Sequence, residues 1–298
     1  MAEKQNELND QVRDWWNNHP YTYGLASSEN KFQDVGDVGT VDGHFFDEYM
    51  RKTRKRFFDA QTDDQPLAAR FIDYDALDGK KTLDIATGLG WAAVEMARAG
   101  ADVTAIDLTP RSIEMTSQHM AYRNLDIDLQ VMDAQQMTFD DATFDFVHAW
   151  GCLMHMPDTE GAIREIYRVL KPGGWSSGYM YNRRSVTYWW HIWFLRGVLQ
   201  GKLLTFNGDT TRLVSRYTDG NMLGGNAHTK VYSPEAATRM FEEAGFVDVS
   251  FKPWGPPRML EGFPFSKLRL GKLLPYSTKK AIADRYGWGM IYHTRKPE

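Results

Sequence analysis

Residues 81–96 read Lys-Thr-Leu-Asp-Ile-Ala-Thr-Gly-Leu-Gly-Trp-Ala-Ala-Val-Glu-Met, and no other stretch limits the fold as tightly. A short β-prone run meets an acid, turns on small residues and enters a segment with an apolar helical face. In open α/β sheets that order marks the place where a nucleotide-like cofactor binds, because strand ends and helix N-terminal amides converge there.

The segments that follow keep the same alternation. Strands are predicted at 82–85, 102–106, 127–131, 144–149 and 175–181, with helices at 91–99, 110–124 and 158–170 between them. Pro110 suits a first helical turn, Asp158 suits an N-cap, and Ala162, Ile163, Ile166, Tyr167 and Leu170 share one helical face. Strands alternating with helices in this way give a parallel, doubly wound α/β sheet. Upstream, residues 6–18 read as a helix carrying Val12, Trp15 and Trp16, stopped by His19-Pro20. Residues 21–43 read as a loop, and helical patterning resumes over 45–59 and again over 67–71. Downstream, 182–230 is an insertion with an aromatic helix, followed by a helix at 234–244 and a strand at 246–252. A second insertion, 253–287, leads to a last strand at 288–294. The expected organisation is an N-terminal cap (1–66), a Rossmann-like core (67–181), a lid (182–232) and the end of the core sheet with its own insertion (233–298).

A chain of 298 residues accommodates one enlarged domain of this kind. Its formal charge of −4 argues against a nucleic-acid polyanion as partner. Charge is uneven, with seven acids against three bases in 1–40 and nine bases against three acids in 258–298. Cys152 is the single cysteine, which excludes intrachain disulfides and Cys-based zinc sites and suits a reducing cytoplasm. No metal site is expected. Residues 1–30 lack a basic-then-apolar signal pattern, and the most hydrophobic segment, 188–204, is interrupted by His191, Arg196, Gln200 and Lys202. Stable membrane insertion is therefore not expected. Aromatic residues reach 13% and cluster at 15–23, 179–194 and 251–265, either as lids over a flat or apolar ligand or as extra core.

Gly88, Gly90 and Ala93 satisfy G-x-G-x-x-A, which by itself leaves a nicotinamide dinucleotide open. Asp107, ending the second strand, suits both ribose hydroxyls, a demand that several cofactors share. Asp84 lies just before the turn, where a carboxylate opposes a pyrophosphate but suits a ligand with an ammonium group. Asp133, after the third strand, suits an adenine amino group, and 170–174 (Leu-Lys-Pro-Gly-Gly) ends a helix and turns into the fifth strand.

Together these residues resemble the class I S-adenosylmethionine (SAM) dependent methyltransferases, over about 80–181 and again in the terminal strands. The family's D-x-G-x-G-x-G appears as Asp84-Ile-Ala86-Thr-Gly88-Leu-Gly90, with Ala86 in place of the first glycine. A methyl there is tolerable if φ is negative. The V-L-K-P-G-G turn is matched by 169–174. The resemblance implies a seven-stranded sheet of order 3-2-1-4-5-7-6 with the last strand antiparallel. It also implies SAM as cofactor, S-adenosylhomocysteine (SAH) as product, and cofactor contacts from Asp84, Ala86, Thr87, Gly88, Gly90, Asp107, Leu108, Asp133, Ala134 and Trp150.

The expected activity is methyl transfer to oxygen or nitrogen of a small-molecule acceptor. The alternatives are carbon methylation of a lipid-like, isoprenoid or quinone acceptor and, from another class, NAD(P)-dependent oxidoreduction. His155, just after the fourth strand, is the candidate catalytic base, because an imidazole titrates in the useful range. Tyr21, Tyr23, Trp189 and His191 are candidate acceptor contacts, His148 and Cys152 are expected to be structural, and a homodimer is left open.

Overall fold

The computed structural model describes residues 2–20, 43–57, 65–220, 223–257, 260 and 270–298. Tyr21 and Tyr23 lie outside the described residues. A seven-stranded sheet runs in the order β3-β2-β1-β4-β5-β7-β6. The strands are β1 (Lys81–Ile85), β2 (Asp102–Asp107), β3 (Asp128–Val131), β4 (Phe144–Trp150), β5 (Leu170–Tyr181), β6 (Val247–Trp254) and β7 (Gly289–Arg295). β7 lies antiparallel between β5 and β6, and the β1–β2, β2–β3, β1–β4 and β4–β5 pairs are parallel, as the resemblance implies. Central strands are covered on both faces, which explains why β1 buries Thr82, Leu83, Asp84 and Ile85 in one unbroken run.

On one face pack α3 (Trp91–Arg98) and α4 (Pro110–Arg123), with Ala92, Val94, Met96, Met115 and Met120 buried. On the other lie α5 (Thr159–Val169) and α8 (Pro234–Glu243), contributing Ile163, Ile166, Val169, Ala237 and Phe241. Helix starts are capped as their sequences dictate: Thr109 accepts from Ser112 N, Asp158 from Gly161 N and Ser233 from Ala236 N, each satisfying an orphan amide. Two N-terminal helices, α1 (Ala2–Asn18) and α2 (Gly43–Phe57), rest on α4. There Phe46 stacks on His119 at 4.4 Å, and Asp47 accepts from the Tyr122 hydroxyl at 2.9 Å.

Two expectations are corrected. Residues 67–71 form a turn, not a helix; Ala68 sits at φ +60, and only Asp75–Leu77 closes a 3₁₀ turn. A five-residue apolar pattern is too short to nucleate a helix, and burial of Leu67 and Leu77 holds the segment instead. β5 begins at Leu170, before Lys171-Pro-Gly-Gly174, because a register shift opposite Phe144–Phe146 absorbs the turn within the strand. The Lys296 ammonium binds the released helix-end carbonyls, at 2.8 Å from Tyr167 O and 2.6 Å from Leu170 O.

After β5 the chain leaves the sheet. A π-helical segment, Thr187–Leu199, packs Tyr188 and Ile192 on Leu213 and Val214 of α7 (Thr210–Tyr217), with the short α6 (Lys202–Thr205) between. The return path is stitched back over the strand ends: Lys230 N donates to Met154 O at 2.9 Å, and Tyr232 N donates to Tyr181 O at 3.1 Å. Residues just before these bonds are thereby held above the C-terminal ends of β4 and β5. Helix α9 (Tyr276–Tyr286) precedes β7. Among the described residues, no helix is long and apolar enough to cross a membrane.

Candidate active site

A cavity of about 260 Å³ opens at the C-terminal ends of β1, β2, β4 and β5. Ligands bind at this edge in doubly wound sheets, because the order reverses between β1 and β4 and leaves a crevice. One end is built by the turn after β1. Ala86, Gly88 and Gly90 all adopt positive φ, at +56, +60 and +79. The condition set for Ala86 is thus not met. Its methyl sits in the left-handed region, a strained position for a residue with a Cβ. A Cβ on Gly88 would meet nothing closer than Ala86 O at 4.0 Å, so this backbone stands open to a ligand. Gly90 is tight for another reason: its Cβ would strike Thr116 at 2.8 Å, and it caps α3 instead of lining the cavity.

Asp107 faces this turn from β2. Its Oδ2 accepts from Gly88 N at 3.1 Å, and its Oδ1 accepts from Thr109 N at 2.9 Å. Burial raises its carboxyl pKa, while the bonds from Thr109 and Gly88 oppose that shift. Thr87 Oγ1 is buried at the cavity wall with no hydrogen-bond partner among the described residues, a polar atom that a ligand can satisfy. Leu108, Met132 and Ala134 form an apolar slot beside Asp133. The Asp133 carboxylate accepts from Asn9 Nδ2 at 2.7 Å and Gln135 N at 2.9 Å, so α1 reaches across the slot. An acid for vicinal hydroxyls, an open glycine backbone and an apolar slot ending in an acid fit the ribose, the chain and the adenine of SAM.

Ala86, Thr87, Gly88, Asp107, Leu108, Asp133, Ala134 and Trp150 all line the cavity. Asp84 stands behind the wall, where its Oδ1 accepts from His148 Nδ1 at 2.8 Å. Cys152 lines the wall with its thiol pKa pushed up by burial, as an inert thiol requires. Trp189 and His191 do not line the cavity. Their helix turns Tyr188 and Ile192 onto α7, which leaves Trp189 46% exposed on the outer side. Among the described residues, no group of three or more His, Cys, Asp or Glu side chains is arranged to hold a metal.

The other end of the cavity is aromatic. Trp16 of α1 meets the His155 ring edge-on at 5.1 Å, and Tyr181 packs on Trp288 at 4.5 Å. Trp150 stacks on Tyr179 at 5.1 Å. Into this compartment His155 presents Nε2, 3.5 Å from Asp219 Oδ2, while Nδ1 lies 2.9 Å from the His228 carbonyl. The Tyr181 hydroxyl donates to the same Asp219 oxygen. Sequence reasoning missed Asn9, Trp16, Gln135, Asp219 and Trp288. Gln135 directly follows the Asp133-Ala134 pair after β3, whereas the other four sit on elements outside the β1–β4 motifs and reach the site through tertiary packing. The one available signal was the aromatic clustering around Trp16.

Residues 83–177 match the family described as a methyltransferase domain. The ubiquinone biosynthesis O-methyltransferase of Chromobacterium violaceum is 35% identical over 125 residues, 41% of this chain and 54% of that protein. Its Pseudomonas aeruginosa counterpart is 36% identical over 123 residues, covering 41% and 53%. The chain thus spans about half the length of the curated relatives it matches. A solved SAM-dependent methyltransferase from Methanosarcina mazei aligns with a TM-score of 0.53 at 18% identity, covering 79% of this chain and 99% of that one, a likeness of fold.

Proposed function

We propose that this chain, whose core belongs to the class I SAM-dependent methyltransferases, transfers a methyl group to oxygen or nitrogen of a small, flat acceptor. One observation carries the reading: a single cavity joins the Asp107 and glycine-turn end to the compartment of His155, Tyr181, Trp16 and Trp288. When bound, SAM supplies an activated methyl, and a heteroatom–carbon bond forms as the carbon–sulfur pair returns to sulfur.

The protein's part is orientation, exclusion of water and removal of a proton. Asp107 and the open backbone at Gly88 would hold the cofactor, and α1 covers the slot through Asn9 and the aromatic end through Trp16. Confinement of both reactants recovers on the order of 7–11 kcal/mol of the barrier. The aromatic walls suit a planar ring, and His155 Nε2 faces the space where its protic group would lie. The curated relatives are named for ubiquinone biosynthesis, which supports a phenolic hydroxyl as the first acceptor class to try.

The test is mass spectrometry on the protein incubated with SAM and a panel of catechols, phenols and aryl amines. A singly methylated product on oxygen or nitrogen is the expected result. Methylation confined to ring carbon would replace this reading with the carbon-methylating alternative.

A further inference from the structure

Asp219 belongs to none of the motifs that mark a SAM-binding core; it follows α7, in the insertion after β5. We propose that Asp219 is a positioning residue that, steadied by Tyr181, holds His155 as a proton acceptor with Nε2 directed into the acceptor compartment. The proposal rests on the methyl-transfer reading above and adds to it how the acceptor's proton leaves.

The hydrogen-bond network around the ring sets its tautomer. Thr229 Oγ1 gives its proton to Asn226 Oδ1 at 2.7 Å, so toward His155 Nδ1, at 3.1 Å, it has only a lone pair to offer. The His228 carbonyl, 2.9 Å from the same nitrogen, is also an acceptor. With two acceptors around it, Nδ1 carries the proton. The neutral ring therefore keeps its lone pair on Nε2, 3.5 Å from Asp219 Oδ2.

A lone pair facing a carboxylate is a poor arrangement that protonation converts into an ion pair. Asp219 thereby offsets the charge that appears on the ring when the acceptor's proton arrives. The Tyr181 hydroxyl donates to the same carboxylate oxygen, which fixes its position and tempers its charge. The balance is simple: the proton on the acceptor heteroatom moves to Nε2 as the new bond to carbon forms, and passes later to water.

The other titratable groups around the ring do not replace this pair. The imidazole of His228, which contributes its carbonyl, is pushed down to about 4 by burial and by Lys230 and His155. Lys230 directs its ammonium to the Pro157 carbonyl at 3.0 Å, and the Cys152 thiol is held protonated by burial. Among the described residues, Trp16 and Thr229 also pack against the ring, and neither carries a charge.

Imidazole ¹⁵N NMR tests the proposal on the full chain, with and without saturating SAH, the His155 signals being assigned by their loss in His155→Asn. The neutral ring is expected as the Nδ1–H tautomer. Asp219→Asn should weaken proton binding at His155 about tenfold, the equivalent of one pH unit. Tyr181→Phe should strengthen it, because the carboxylate loses the tyrosine's proton; the two variants move the titration in opposite directions, which loss of packing alone would not do. An Nε2–H tautomer, or a titration unmoved by Asp219→Asn in protein that still binds SAH, would overturn the proposal. Wild-type kcat in His155→Asn, with an acceptor identified from the panel, would overturn it as well. Absence of SAH binding in the wild-type protein would instead sink the methyl-transfer reading, and the NMR titration distinguishes that failure from its own.

Discussion

Asp84 and His148 occupy paired positions on the adjacent parallel strands β1 and β4, and the imidazole Nδ1 donates to the carboxylate at 2.8 Å. Both side chains are almost completely buried, and Asp84 Oδ2 and His148 Nε2 have no hydrogen-bond partner among the described residues. The family-type acid of the glycine turn is thus bonded across the sheet to a strand-four histidine, which stacks in turn beneath Trp150 of the cavity wall. His148→Leu should cost about 3–5 kcal/mol of stability, because it strands a buried carboxylate without its partner. Urea unfolding measures this, and a loss under about 1 kcal/mol would show that water already satisfies Asp84.

SAH should bind and NAD(P) should not. Ligand at 100-fold excess over its Kd adds about 2.7 kcal/mol to stability, which a thermal melt reads as a rise of several degrees. A rise with NADH and none with SAH would move the site to the oxidoreductase alternative.

Asp107→Asn should weaken SAH binding by roughly 1.5–3 kcal/mol, the scale of a charge-assisted hydrogen bond. The substitution preserves shape beside Gly88 and Thr109, so the circular dichroism spectrum should not change. Calorimetry showing undiminished SAH affinity would remove Asp107 from the cofactor site.

Ala86→Gly should stabilise the protein. A residue with a Cβ in the left-handed region carries about 1–2 kcal/mol of strain, and glycine's extra unfolded-state entropy returns part of that. With φ at +56, a net gain of about 0.5–1 kcal/mol is expected in denaturant unfolding. A loss of stability would mean that the methyl's packing at the cavity wall outweighs its strain.

Stability should fall on mild acidification. His119 is buried against Phe46 with Nδ1 donating to the Leu89 carbonyl at 2.8 Å, and burial pushes its pKa from 6.5 down to about 4. Between those two values the unfolded ring takes a proton that the native ring refuses, so stability rises with pH across this window and drops as pH falls through it. The contribution lost by pH 5 is about 2 kcal/mol for this residue. His228, lowered to about 4 as well, acts in the same direction. Urea midpoints compared at pH 7 and 5 provide the measurement, and His119→Gln should flatten the dependence.

The sheet and the cofactor end of the cavity were legible in the chain because their signals are local. β1, its turn and α3 are contiguous, and Asp107 ends β2 and Asp133 follows β3 at the strand ends, where a parallel sheet places its ligands. Strand order came from family resemblance, not from periodicity, since alternation alone does not say which parallel strands are neighbours. The aromatic run at 188–194 misled for a related reason: residue type announces burial or contact, but not which side of a helix faces the site. Packing of Tyr188 and Ile192 on α7 turned Trp189 away.

The aromatic end of the cavity depended on contacts that no window of sequence contains. Trp16 comes from α1, Tyr181 from the end of β5, Asp219 from the far side of the lid and Trp288 from beside β7, and only the closed fold brings them around His155. The strain at Ala86 was equally hidden, because a substituted glycine identifies the position but not the sign of φ that the turn imposes. The sequence by itself determined the doubly wound core and the acids at the ends of β2 and β3 that line the cavity, because each is encoded within one strand–turn–helix unit. Tertiary structure decided which charge faces His155, because Asp219 and that ring lie 64 positions apart in the chain and meet only where the segment returning after β5 is bonded over the ends of β4 and β5.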